Sequence, residues 1–215
     1  MYFVKTPRLI QALMPSYTWH VDTKDRFLYL TFDDGPIPEV TPWVLEILQQ
    51  YDARATFFCV GENVQRYPVI FQQTLAAGHS VGNHTFNHLS GCSTDNIAYF
   101  HNIRRCARLV KSNLFRPPYG RIRPAQRAFL ERHYRIVMWD VLSGDFDPCI
   151  SSEQCLQNVV LNAQAGSIVV MHDSLKSEKK LRYILPRILE YFSGEGYRFE
   201  AVPVRAPRQE ALALL

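Results

Sequence analysis

Residues 27–36 read FLYLTFDDGP. Positions 27–32 are all apolar or β-prone and show no polar alternation, which predicts a strand covered on both faces, as in parallel sheets. Gly35-Pro36 stops that strand and turns the chain. Between strand and turn stand two adjacent carboxylates, Asp33 and Asp34. Side by side at the mouth of a buried strand they repel each other, and low dielectric sharpens the repulsion. A positive group is therefore expected beside them. Alone, the pair also reads as an Asp-Gly turn with a helix-capping aspartate, so the rest of the polar inventory has to decide.

Working outward, Thr6-Pro7 opens a short amphipathic helix that Pro15 closes. Thr41-Pro42 repeats the start signal for a helix carrying Trp43, Val44, Ile47 and Leu48. Residues 55–60 (ATFFCV) predict a second buried strand, residues 68–77 a helix stopped by Gly78, and residues 79–83 a third strand. Thr94 is expected to cap a long helix to about Ser112, with Ile97, Phe100, Ile103, Ala107 and Val110 on its apolar face. Then come a brief strand over 114–116, a helix over 124–133 and a strand over 135–140. The capping box Ser151-x-x-Gln154 opens a helix ending before Gly166. A strand over 167–171, a helix over 178–192 kinked at Pro186, and a last strand over 197–203 complete the pattern. Seven strands alternating with helices predict a parallel sheet, closed or nearly closed. No linker or repeat interrupts it, so the expectation is one main domain over 26–203, a helix and lead-in over 1–25, and a tail over 204–215.

A chain of 215 residues is the length of one α/β barrel, and 47% hydrophobic with 20% charged residues fits a soluble protein with a substantial core. The formal net charge of +4 is weak and scattered, which argues against a nucleic-acid partner. The five cysteines are odd in number and lack CxxC spacing, so reduced thiols are expected rather than a disulfide framework or a cysteine zinc site, with Cys149 and Cys155 as the one pair worth weighing. The N-terminus has no basic region followed by an apolar one, and no run reaches membrane-span length. A cytoplasmic location is the expectation.

The out-of-place polar residues all follow strands: Asp33 and Asp34, then His84 and His88, Arg116, Asp145 and Asp147, and His172. In a barrel of parallel strands those positions open on the C-terminal face, where such folds keep their active sites. HTFNH (84–88) is an HxxxH pair; in a helix, or a tight loop with a helical turn, its two imidazoles can grip one metal. A carboxylate from the DD pair completes a two-His-one-carboxylate set suited to zinc, and also to iron, cobalt or nickel. The other aspartate is then free to act as a base, and the ion answers the repulsion between the two. RPPYG (116–120) supplies a cation on a rigid, glycine-ended loop.

TFDDGP, HTFNH, RPPYG, an Asp-aromatic element and a hydrophobic-x-His element, in that order from Thr31 to His172, resemble the polysaccharide deacetylases of carbohydrate esterase family 4, the NodB-homology domain. The resemblance implies a distorted, TIM-barrel-like (β/α)7 barrel and a metal-dependent hydrolase that removes N-acetyl groups from an acetylated carbohydrate. It implies Asp33 as catalytic base, Asp34, His84 and His88 as ligands of a divalent metal, zinc first and cobalt or nickel next, and Arg116 as the arginine holding the base. His172 is implied as general acid with Asp145 orienting it, and Tyr119 as the site of a backbone N–H that assists the oxyanion. Pro117, Trp139, Phe146 and Val170 fall where substrate contacts are expected. Two positions depart from the family pattern: Phe146 stands in place of the usual Trp, and Val170 in place of the usual Leu, which puts the substrate preference in question. Action on another C–N bond, O-acetyl (xylan-type) esterase activity and an inactive carbohydrate-binding relative stay open as alternatives, as does the oligomeric state.

Overall fold

Parallel pairing runs through the whole sheet of this protein, and it places the ends of its strands side by side. The structure, a computed structural model, describes residues 2–204. In chain order its helices are α1 (Arg8–Leu13), α2 (Thr41–Gln50), α3 (Gly61–Arg66), α4 (Pro68–Ala76), α5 (Asn96–Ala107), α6 (Pro124–Leu130), α7 (Ser152–Val160) and α8 (Glu178–Gly194). Its strands are β1 (Phe27–Asp33), β2 (Thr56–Cys59), β3 (Ser80–Asn83), β4 (Leu114–Phe115), β5 (Arg135–Ile136), β6 (Val141–Leu142), β7 (Ile168–His172) and β8 (Arg198–Phe199). Seven strands lie in the order β5-β4-β3-β2-β1-β7-β6, and the short β8 pairs with the start of β1. This is the half-barrel of a distorted (β/α)7 fold. Strand β1 lies between β2 and β7, with six of its seven residues buried.

The apolar run that predicts β1 is buried because helices cover its outer face, carrying Leu28, Leu30 and Phe32, while Tyr29 on the inner face packs with Phe58, Leu114, Val137 and Ile168 inside the half-barrel. Helix α8 contributes Leu181, Ile184, Leu185, Ile188, Leu189 and Phe192, all on one stripe and all buried. Each such side chain contributes about 1.5–3 kcal/mol of transfer free energy. The helix runs unbroken through Pro186.

Four expectations need correction. Residues 135–140 do not form one strand. Pairing with β4 ends near Val137, and Met138 N–H then donates to Thr18 while Asp140 C=O accepts from Thr6 N–H. The lead-in takes over the backbone groups a longer strand would have used, and the chain re-enters the sheet as β6. The half-barrel also stays open between β5 and β6, where Thr18 bridges to Val137 and His20 to Ser167. Helix α5 is shorter than expected. Its cap is Asp95, which accepts from Ala98 N–H, and its buried face is Tyr99, Ile103 and Cys106 while Ile97 is 74% exposed. The last strand contracts to Arg198–Phe199. All five cysteines are free, so Cys149 and Cys155 are not paired. The expected tail lies outside the described residues from 205 onward. Among the described residues no helix is long and apolar enough to cross a membrane.

Candidate active site

The strand ends converge as the spacing of polar residues requires. Asp33 ends β1, His84 follows β3, Arg116 follows β4, Asp145 lies just beyond β6, and His172 ends β7. Asp33 and His172 are register partners on neighbouring strands, so their side chains leave the sheet at the same level.

HTFNH is not a helix here. Thr85 and His88 both take left-handed backbone angles, with φ of 63° and 55°. These two reversals fold the loop back on itself, and Thr85 Oγ1 and Asn102 Oδ1 hold it by accepting backbone N–H groups. The imidazoles come to 5.0 Å between ring centres. Asp34 Oδ1 lies 3.2 Å from His88 Nε2 and 3.8 Å from His84 Nε2. One ligand atom from each of Asp34, His84 and His88 falls within 4.8 Å of the others.

The donor set of these three fits a divalent cation. Asp34 Oδ1 is a buried carboxylate oxygen without a hydrogen-bond partner, aimed at the two imidazoles. His84 Nδ1 is 2.7 Å from the Arg116 carbonyl, which can only accept, so Nδ1 carries the proton and the Nε2 lone pair faces Asp34. Burial holds His84 down at about 4, against the pull of Asp33, so the ring is neutral and ready to ligate. Burial pushes the Asp34 carboxyl up, but contact with His88 and the fields of His172 and His84 outweigh it and hold the group well below the usual carboxylate range.

Arg116 is wholly buried. It donates to Asp33 Oδ1 at 2.7 Å, to Thr31 Oγ1 at 2.8 Å and to the carbonyls of Val137 and Met138. Phe58 lies under the guanidinium at 4.1 Å. Desolvation lowers its pKa from the ordinary arginine value, and Asp33 works against that fall. The sequence reading gave Thr31 no role of its own, although it opens the TFDDGP motif. Removing one member of a buried pair strands the other charge. Arg116→Ala should therefore cost about 3–5 kcal/mol of stability, read as a lower denaturant midpoint at unchanged slope.

Of the three aspartates near the fourth motif, Asp145 is the one against His172. Its Oδ1 is 2.8 Å from His172 Nδ1, and its Oδ2 accepts the His172 backbone N–H at 2.7 Å. Burial lowers the His172 pKa, but Asp145, with smaller help from Asp34 and Asp33, raises it to about 9. Asp140 instead binds Lys5, Gln11 and Ser167. Asp147 accepts from Tyr2 Oη–H and from Cys149 N–H.

The residues expected around substrate divide in two. Tyr119, at φ 61° and 64% exposed, stands edge-on to His88 with ring centres 4.8 Å apart. Phe146 packs edge-on to His172 and is backed by Tyr2. Both border the reacting groups. Trp139 is half-buried beside Arg116 and Gly120. Val170 is buried in β7 on the face of His172, two residues earlier, and Pro117 is buried at the head of its loop. Two further residues that the sequence reading passed over reach the Asp34 loop: Asn63, which donates to the Asp34 carbonyl, and Asp173, which accepts from Gly35 N–H and Thr41 Oγ1–H.

The polysaccharide deacetylase profile matches residues 20–134. The chain is 38% identical to a peptidoglycan-N-acetylglucosamine deacetylase of Bacillus cereus over 194 residues, covering 86% of this chain and 90% of that protein. It is 31% identical over 200 residues to a chitooligosaccharide deacetylase of Azorhizobium caulinodans, covering 82% of this chain and 92% of the other. Among solved structures, a peptidoglycan N-acetylglucosamine deacetylase bound to a substituted N-oxidanyl-benzamide superposes with a TM-score of 0.84 at 28% identity, over 92% of this chain and 95% of that one. Sequence and fold agree, and the chain belongs to the polysaccharide deacetylase family, the hydrolases of carbohydrate esterase family 4 that act on N-acetylated sugars.

Proposed function

We propose that this chain removes N-acetyl groups from N-acetylglucosamine units of a peptidoglycan- or chitin-type glycan, releasing acetate, with zinc held by Asp34, His84 and His88. The observation that carries this reading is the register pairing of Asp33 with His172. Arg116 holds the carboxylate and Asp145 the imidazole, and the two side chains leave neighbouring strands at the same level, with Asp33 Oδ2 4.0 Å from His84 Nε2. Bound there, a divalent ion supplies Lewis-acid polarisation of the acetamide carbonyl and lowers the pKa of an adjacent water.

Asp33 takes a proton from the attacking water. Its Oδ1 is occupied by Arg116, which leaves Oδ2 as the basic atom. His172 gives a proton to the departing amine from Nε2, because Nδ1 is committed to Asp145. Tyr119 offers a ring face beside His88 for a sugar, and Phe146 with Val170 lines the acetyl side. Phenylalanine keeps that wall apolar, and it lacks the indole N–H of the tryptophan usual in the family.

Acetate release across N- and O-acetylated oligosaccharides, with zinc, cobalt and nickel each supplied to metal-stripped protein, tests the reading. Turnover of N-acetylglucosamine oligomers with about one equivalent of metal per chain is expected, and Asp34→Ala and His88→Ala should abolish the bound equivalent. Release only from O-acetylated xylan would replace the reading with an esterase. Full metal content in both variants would remove the ligand assignment.

A further inference from the structure

Asp173 directly follows His172, is fully buried, and has no part in the chemistry above. Its two carboxylate oxygens are spent on the segment that follows the neighbouring strand, β1. Oδ1 accepts from Gly35 N–H at 3.0 Å, and Oδ2 contacts Thr41 Oγ1 at 2.6 Å. Thr41 Oγ1 in turn accepts from Ile37 N–H at 2.8 Å. The Asp173 backbone N–H donates to the Asp33 carbonyl at 3.1 Å. One residue thus ties the end of β7 to both sides of Asp34.

That loop needs holding. Asp34 has φ 88°, an angle costly for a residue with a side chain, and such angles persist only where the surroundings over-determine them. It is this angle that turns the carboxylate toward His84 and His88. The approach of Asp173 is also close enough to dictate the next residue: a Cβ on Gly35 would stand 1.9 Å from Asp173 Oδ2. Asn63 Nδ2, on the Asp34 carbonyl, is the other side-chain brace.

We infer that Asp173 is a positioning residue for the metal centre, clamping the backbone of residues 33–35 so that Asp34 is preorganised to ligate. The inference rests on the metal site proposed above. Either protonation state of Asp173 keeps both contacts, because Thr41 Oγ1 can donate or accept. For the same reason Asp173→Asn, with its carbonyl on Gly35 N–H and its amide on Thr41, can replace the clamp.

The test is zinc affinity of the full chain, measured by competition with a chromophoric chelator, beside thermal unfolding of the metal-free protein. Asp173→Ala should weaken zinc binding about 10–100-fold, the usual cost of losing support behind a ligand. Thr41→Val should weaken it about 3–10-fold, the worth of one hydrogen bond. Asp173→Asn should stay within about threefold of wild type. Asp173→Ala binding zinc as tightly as wild type overturns the inference, and so does a fall in metal-free Tm with affinity unchanged. If Asp173→Ala does not fold, Thr41→Val decides: wild-type affinity there overturns the clamp. A wild-type chain whose zinc affinity equals that of Asp34→Ala would instead sink the proposed metal site itself.

Discussion

Asp33→Asn is expected to retain the fold and the metal yet lose on the order of 10²–10⁴ in acetate release, the usual worth of a positioned general base. The two residues are nearly the same shape, and the amide oxygen can still accept from Arg116, which donates to Asp33 Oδ1 at 2.7 Å. The guanidinium keeps its bonds to Thr31 and to the carbonyls of Val137 and Met138, so the buried cation is not left without acceptors. What disappears is an atom that can take a proton. Asp34→Asn should fail differently, because Asp34 Oδ1 is the oxygen aimed at His84 and His88, and exchanging its negative charge for a neutral amide should weaken the hold on the ion before chemistry is reached. Metal content, far-UV circular dichroism and turnover measured on both variants separate the cases. An Asp33→Asn enzyme that turns over normally would hand the base role to another group.

The sequence showed the strand ends far better than the strand lengths. Residues 27–32 carry an apolar run that only a strand buried on both faces explains, and the structure buries Leu28 through Phe32. Residues 136–139 are also apolar, but there the pairing partner is the lead-in, and no local pattern reports which distant segment will claim a backbone N–H. HTFNH was legible as a pair of converging imidazoles because two histidines four apart meet in several backbone shapes. The left-handed Thr85 and His88 that produce it here have no signature in residues of ordinary type. Arg116 could be named as a cation, while its depth could not, since burial comes from Phe58 and β1 rather than from RPPYG itself. Asp173 was passed over for a related reason. An aspartate beside a histidine looks like a turn residue until Gly35 and Thr41 are seen to arrive from the neighbouring strand's loop.

Asp145→Asn should lower kcat by on the order of 10² and move the basic limb of the pH–rate profile to lower pH. In the proposed reaction His172 works as an acid, so activity falls as pH rises through its pKa, and a lower pKa brings that fall earlier. Burial alone would push the ring below its ordinary value; Asp145 is what raises it, to about 9. Asparagine removes the negative charge, and it also creates a conflict of hydrogen bonds. The carboxylate accepts from His172 twice, at Nδ1 and at the backbone N–H. An amide has one acceptor atom, so either the ring or the backbone N–H would face an NH₂ group. Part of the present elevation comes from Asp34 and Asp33, and a divalent cation on Asp34, His84 and His88 offsets that part while leaving the Asp145 contribution on the far side of the ring. The shift should therefore persist in the metal-loaded enzyme. Asp140→Asn and Asp147→Asn serve as comparators, because Asp140 is engaged with Lys5 and Ser167, and Asp147 with Tyr2 and Cys149. Neither should displace the basic limb, although Asp140→Asn should reduce stability by loosening the lead-in. A basic limb that stays in place in Asp145→Asn and moves in Asp147→Asn would transfer the orienting role to the neighbour two residues along.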